Sequence, residues 1–206
     1  MQFKKFTHPI FNSNSYIIYD SQNCIIVDPT DIASQHIIYF VEKNNLKPIC
    51  IVNTHGHYDH ISGNDILASY FNLEIYIHEE DSKFLSDPSL NLSTYYKEKF
   101  VVNSKLRHIN ENQRFMNFKI IHVPGHTPGS ICLKYENMLI CGDLIFSDSI
   151  GRVDLPLSSE KDMKMSLKKI MNYIDKNTII LPGHGKFFYL ENLYRENEIL
   201  WSFINS

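Results

Sequence analysis

The 206 residues include 20 basic and 23 acidic side chains, a net charge of −3, and 43% of them are apolar against 21% charged. That balance excludes collagen-like, low-complexity and wholly disordered chains, and it argues against a nucleic-acid partner, which calls for a basic face. No apolar run approaches a membrane span, and Met1-Gln2-Phe3-Lys4-Lys5-Phe6-Thr7-His8-Pro9 lacks the apolar segment of a secretory leader. One cytoplasmic domain over residues 1–206, without a membrane partner, is the expectation.

Short apolar runs alternate with helical patterns. Tyr16 to Tyr19 and Cys24 to Val27 read as a strand pair joined by the turn Asp20-Ser21-Gln22-Asn23. Thr30 or Asp31 can cap a helix with apolar positions Ile32, Ile37, Phe40 and Val41, and Pro48 follows its end. Ile49 to Val52 is a buried-strand run. Ile66, Leu67, Tyr70 and Phe71 mark a second helix, and Ile75 to Ile77 a strand. Glu79-Glu80-Asp81 suits the positive end of a helix. Residues 86–104 read as a loop, with Tyr95 and Tyr96 as packing residues. Lys119 to Val123, Ile131 to Tyr135 and Met138 to Cys141 read as strands. Ser159 with Asp162 opens a helix carrying Met163, Leu167, Ile170, Met171 and Ile174. Thr178 to Leu181 is the last clear strand, and a final helix carries Leu190, Leu193, Tyr194, Leu200 and Trp201. Strands alternating with helices imply α/β layers. Cys24, Cys50, Cys132 and Cys141 all lie in or beside apolar strand runs, none in a C-x-x-C pair, and read as buried reduced thiols.

One pattern recurs four times: an apolar strand ends and a metal-ligand residue type follows. Ile49 to Val52 leads into Asn53-Thr54-His55-Gly56-His57-Tyr58-Asp59-His60; the strand to Val123 leads to His126, that to Cys141 to Asp143, and that to Leu181 to His184. Strand ends are where α/β folds place their sites. Three imidazoles and a carboxylate in six residues are costly to pack for structure alone. His55 and His57, two apart in an extended segment, can grip one ion, and Asp59 and His60, past the turn, a second. Imidazole and carboxylate suit zinc, iron or manganese. The helical H-E-x-x-H spacing of zinc proteases is absent. His8, His36, His78, His108 and His122 lack such settings and read as surface or core residues.

His55-x-His57-x-Asp59-His60, followed by His126, Asp143 and His184, resembles the metallo-β-lactamase superfamily from about Tyr16 to His184. The resemblance implies an α/β fold, a four-layer αββα sandwich with two central mixed sheets flanked by helices. A narrower resemblance lies in Gly142-Asp143-Leu144-Ile145-Phe146 and Ser149-Ile150-Gly151-Arg152-Val153-Asp154-Leu155-Pro156, which are similar to the short bacterial branch of the glyoxalase II-like thioester hydrolases. It implies two divalent metal ions, zinc first, with iron or manganese as alternatives. His55, His57 and His126 would hold one ion, Asp59, His60 and His184 the other, and Asp143 both. Asp28 would stand behind the ligands. Arg152, Lys186 and Tyr189 are candidates to meet substrate.

The implied reaction is hydrolysis of a small-molecule thioester, as in hydroxyacylglutathione hydrolase, by a metal-bridging hydroxide oriented by Asp59. A thiol of pKa about 8.5 leaves as thiolate without a strong acid, whereas a simple amine does not. Full-length enzymes of that family carry a C-terminal helical extension that helps hold glutathione. Only a short segment follows His184 here, which leaves the thiol carrier open. The alternatives are a mononuclear-iron persulfide dioxygenase using His55, His126 and Asp143, and a lactone or other ester hydrolase of the same fold. Oligomeric state is not legible in the sequence.

Overall fold

The computed structural model describes residues 1–111, 113–191, 193 and 197–205. They fall into two compact units, one of Met1–Ile77 with Ser82–His108, the other of His78–Asp81 with Ile109–Ser206.

The first unit is built on a six-stranded mixed sheet whose strands lie side by side in chain order: β1 (Gln2–Thr7), β2 (Asn14–Tyr19), β3 (Asn23–Val27), β4 (Lys47–Val52), β5 (Ile75–Ile77) and β6 (Leu106–His108). β1, β2 and β3 pair antiparallel, and β3 through β6 pair parallel. A parallel pair needs a crossover, and helices supply it. Helix α1 (Asp31–Lys43) links β3 to β4. Its cap is Thr30, whose side chain accepts from the Ala33 amide at 3.2 Å. The helix turns Ala33, Ile37 and Val41 inward and leaves Ile32 exposed, so one apolar position assigned to its buried face points to solvent. Helices α2 (Tyr58–Ile61) and α3 (Asn64–Phe71) link β4 to β5. Leu67 and Ala68 of α3 are buried, whereas Ile66 and Tyr70 are exposed. These helix residues pack on Ile17, Ile26, Ile51 and Ile75 of the sheet. Each such buried aliphatic side chain contributes roughly 1.5–3 kcal/mol.

The acidic run at Glu79 opens a helix as expected, whereas residues 86–104 depart from the simple loop expected there. A 3₁₀ helix spans Glu79–Leu85, and a second spans Ser93–Tyr96. Phe84 and Leu85 form a small core with Ile61 and Ile77. Tyr95 and Tyr96 do not enter it: they are 72% and 50% exposed, and the Tyr96 ring lies 4.6 Å from that of Phe11.

The second unit carries the other mixed sheet, with strands β7 (Arg114–Phe115), β8 (Phe118–His122), β9 (Ile131–Tyr135), β10 (Met138–Gly142), β11 (Ile179–Pro182) and β12 (Phe188–Tyr189), again side by side in sequence order. β8 and β10 both run antiparallel to β9, and β11 runs parallel to β10. β8, β10 and β11 therefore point the same way, with their carboxyl ends on one edge. Helix α4 (Glu160–Ile170) starts at the expected cap, Ser159, whose Oγ accepts from the Asp162 amide at 3.2 Å. It ends at Ile170, so Met171 and Ile174 lie beyond it, though both still pack on the core. Helix α5 (Glu198–Asn205) contributes Leu200 to that core, alongside Leu190 and Leu193. Tyr194, assigned to the last helix, lies outside the described residues. All four cysteines are buried thiols. No helix among the described residues is long and apolar enough to cross a membrane.

Candidate metal centre

In the first unit the parallel neighbours β3 and β4 end side by side, so Asp28 meets the segment that begins at Asn53. Asp28 is 1% exposed and has a left-handed backbone (φ 49°), a conformation Asp tolerates better than most residues. Its Oδ1 accepts from the Thr54 amide at 2.7 Å, and its Oδ2 from the Thr54 hydroxyl at 2.6 Å. Oδ2 also accepts from His60 Nδ1 at 3.1 Å. The Thr54 hydroxyl has one hydrogen, which goes to the carboxylate. It therefore accepts from His55 Nδ1, 3.2 Å away. One buried carboxylate thus places the proton of both rings on Nδ1 and leaves each Nε2 with a lone pair for a metal.

His57 is the cap residue of α2, and Asp59 and His60 stand in that short helix. His55, His57 and His60 are all at least 98% buried. Asn53 Nδ2 donates to the His60 carbonyl at 3.0 Å and fixes the helix to the strand end. His60 Nε2 lies 3.6 Å from Asp59 Oδ2.

In the second unit, the carboxyl ends of β8, β10 and β11 deliver His126, Asp143 and His184 to one edge. His126 Nε2 and His184 Nε2 each lie 3.4 Å from Asp143 Oδ2. His126 Nδ1 donates to the carbonyl of Arg152 at 2.9 Å, so its Nε2 also carries the lone pair. The turn that follows His126 is held by Asp81, a fully buried carboxylate that accepts from Thr127 Oγ1 at 2.7 Å and from the Gly129 amide at 2.6 Å.

These spacings test whether a divalent ion fits. Ligand atoms at 2.0–2.1 Å from a tetrahedral zinc ion stand about 3.4 Å apart. The three carboxylate-to-imidazole separations, 3.4, 3.4 and 3.6 Å, are long for hydrogen bonds and match that span. The oriented Nε2 atoms and the half-buried carboxylates therefore fit an ion of the zinc, iron or manganese type.

The predicted substrate residues are placed less tellingly. The Arg152 guanidinium pairs with Asp154 through two hydrogen bonds of 2.8 and 2.9 Å, both side chains being largely exposed. That pairing holds the Asp154 carboxyl below its usual range. Lys186 and Tyr189 are exposed. Sequence reasoning gave no part in the site to Thr54, to Asp81, read only as acid at a helix start, or to the main chain of Arg152. Thr54 stands inside the histidine motif, but its part as a relay depends on the β3–β4 pairing.

The sequence matches the metallo-beta-lactamase superfamily over residues 8–184. The chain belongs to that superfamily. Among relatives of this metallo-hydrolase is a probable metallo-hydrolase of Methanocaldococcus jannaschii, 34% identical over 85% of this chain and 89% of that protein. A hydroxyacylglutathione hydrolase of Wigglesworthia glossinidia brevipalpis is 36% identical over 88% of this chain but only 65% of its own length. Among solved structures, the B3 metallo-beta-lactamase BLEG-1 superposes with a TM-score of 0.89 at 28% identity, over the full length of both chains. The two mixed sheets with their helices are thus those of the metallo-β-lactamase fold.

Proposed function

We propose that this superfamily member hydrolyses thioesters of small hydroxyacyl groups, as hydroxyacylglutathione hydrolase does, with two divalent ions, zinc in the first instance. His55, His57 and His126 would hold one ion, Asp59, His60 and His184 the other, and Asp143 both. The observation that carries this reading is the set of imidazoles whose Nδ1 protons are committed to Thr54, Asp28 and the Arg152 carbonyl. Histidines so arranged offer Nε2 to a metal. The glyoxalase II-like segments at 142–146 and 149–156 and the relative of that name narrow the substrate class.

Bound divalent ions acidify water and polarise a carbonyl. The residues of the chain supply the rest. Asp59, with its side chain 20% exposed at the start of α2, takes the proton of the attacking water. Asp28 keeps His55 and His60 in one tautomer throughout. The thiol leaves as its thiolate, so no acid has to be placed opposite Asp59.

The test is steady-state hydrolysis of S-D-lactoylglutathione by metal-loaded and chelator-stripped protein side by side, with the lactoyl thioester of a second small thiol and a chromogenic cephalosporin as comparison substrates. Metal-dependent loss of a thioester, abolished in His57→Ala, is expected. Normal turnover by His57→Ala, or cleavage of the lactam alone by protein holding two metal equivalents, overturns the proposal.

A further inference from the structure

We propose that His78, Glu80 and His122 form an additional binding site for a divalent transition ion, outside the superfamily ligand set and wholly within the second unit. It is independent of the thioester reading. His78 and Glu80 lie at the start of the 78–85 segment, and His122 is the last residue of β8. Each of the three offers a ligand atom, and these atoms all lie within 4.8 Å of one another. The rings of His78 and His122 stack at 4.1 Å with 11° between their planes.

The spacing that fits the main centre also fits here. His122 Nε2 stands 3.7 Å from Glu80 Oε2, beyond hydrogen-bond range and close to the span of two ligands on one ion. Two imidazoles and one carboxylate form a borderline-soft set that suits zinc or copper(II) and not magnesium or calcium. Burial is graded as a binding site requires. His78 is only 7% exposed and forms the floor, the His122 side chain is 22% exposed, and that of Glu80 is 56% exposed, which leaves an approach for the ion and room for a water ligand.

The backbone beneath is already fixed. His122 pairs with Ile131 across the sheet, and its carbonyl accepts from Lys169 Nζ at 2.8 Å. The side chains must turn out of their stack, since lone pairs in ring planes only 11° apart run nearly parallel and do not meet at one point. His122 Nε2 donates to the Pro128 carbonyl at 2.8 Å, and His78 Nδ1 accepts from the Glu80 amide at 3.4 Å. An ion at His122 Nε2 takes the place of the proton now shared with Pro128.

The test is equilibrium zinc binding to the full chain, by calorimetry with metal content measured in parallel, comparing wild type with Glu80→Gln/His122→Gln. Wild type is expected to hold one equivalent more than the double variant, whatever the main centre holds, and each single variant to weaken that equivalent at least tenfold. His36→Gln, at an exposed histidine on α1, controls for casual surface binding and is expected to match wild type. Equal stoichiometry and affinity in wild type and in a double variant whose far-ultraviolet spectrum is unchanged overturns the proposal. So does an equal loss in His36→Gln.

Discussion

Gly151→Ala is the sharpest test of how the second unit places its candidate metal ligands, His126, Asp143 and His184. A methyl group at position 151 would stand 1.8 Å from the backbone carbonyl oxygen of Asp143, and 3.2 Å from the end of the Met163 side chain. Ordinary contact begins near 3.4 Å. Met163 can yield, but the Asp143 main chain has to move by roughly 1.6 Å, the gap between 1.8 and 3.4 Å. Overpacking of this kind costs about 1–3 kcal/mol, or about 2–4 °C of melting temperature per kcal/mol in a chain of this size. The functional effect should be larger. Asp143 Oδ2 is 3.4 Å from both His126 Nε2 and His184 Nε2, and a shift of its backbone removes both spacings together. A misplacement of about 1 Å near a catalytic group can lower turnover about 100-fold. Gly151→Ala is therefore expected to fold, to melt several degrees lower in chelator, to retain less metal and to lose about 100-fold in kcat/KM. Gly185→Ala is the comparison. Its methyl group meets no atom within 4 Å, and its φ of 77° alone costs about 1–2 kcal/mol. It should lose similar stability and much less activity. If Gly151→Ala keeps full metal content and full activity, the Asp143 carbonyl does not set the position of its carboxylate.

Two further outcomes follow from buried groups. In Asp28→Asn the amide tolerates φ 49°, but its nitrogen is a donor and in the place of Oδ2 accepts from neither Thr54 Oγ1 nor His60 Nδ1. Metal affinity is expected to fall about 10–100-fold with the fold intact; a competition titration giving wild-type affinity counts against the relay through Thr54. Burial pushes the Cys24 thiol, and likewise that of Cys50, up to about 12 from an ordinary 9.0. The unfolded chain releases these protons near pH 9 while the folded chain keeps them. Their contribution is whole below pH 9 and fades as pH rises toward 12, at about 1.4 kcal/mol per thiol per pH unit. Urea denaturation at pH 8, 9 and 10 should show that slope, and Cys24→Ala/Cys50→Ala should flatten it. An unchanged slope assigns the alkaline loss to other groups.

The strands that carry ligands were legible because their signal is local: an apolar run, then a turn with His or Asp. Thr30 and Ser159 were legible as caps for the same reason. Other elements have no such signal. β1 alternates weakly, and β7 and β12 are two residues long, held by pairing with partners remote from any local pattern. Ile32, Ile66 and Tyr70 are apolar at helix positions that happen to face water, since apolar side chains supply much of any surface. Within the centre, the residue types of the ligands were readable. Their tautomers were not, because those depend on Asp28 and Arg152 being brought beside them by the fold. Asp81 was read only as acid at the start of a helix, and its grip on Thr127 and Gly129 is visible only once the chain has returned across 46 and 48 residues.

The hydrogen bond from His126 to Arg152 ends on a main-chain carbonyl, and every residue type has one. The guanidinium of the same residue points outward to Asp154. Position 152 therefore divides its duties between backbone and side chain. Replacement of the arginine changes what the surrounding solution meets and leaves the support of the imidazole in place. A lineage can thus vary the surface at this position without first repairing the support of that imidazole.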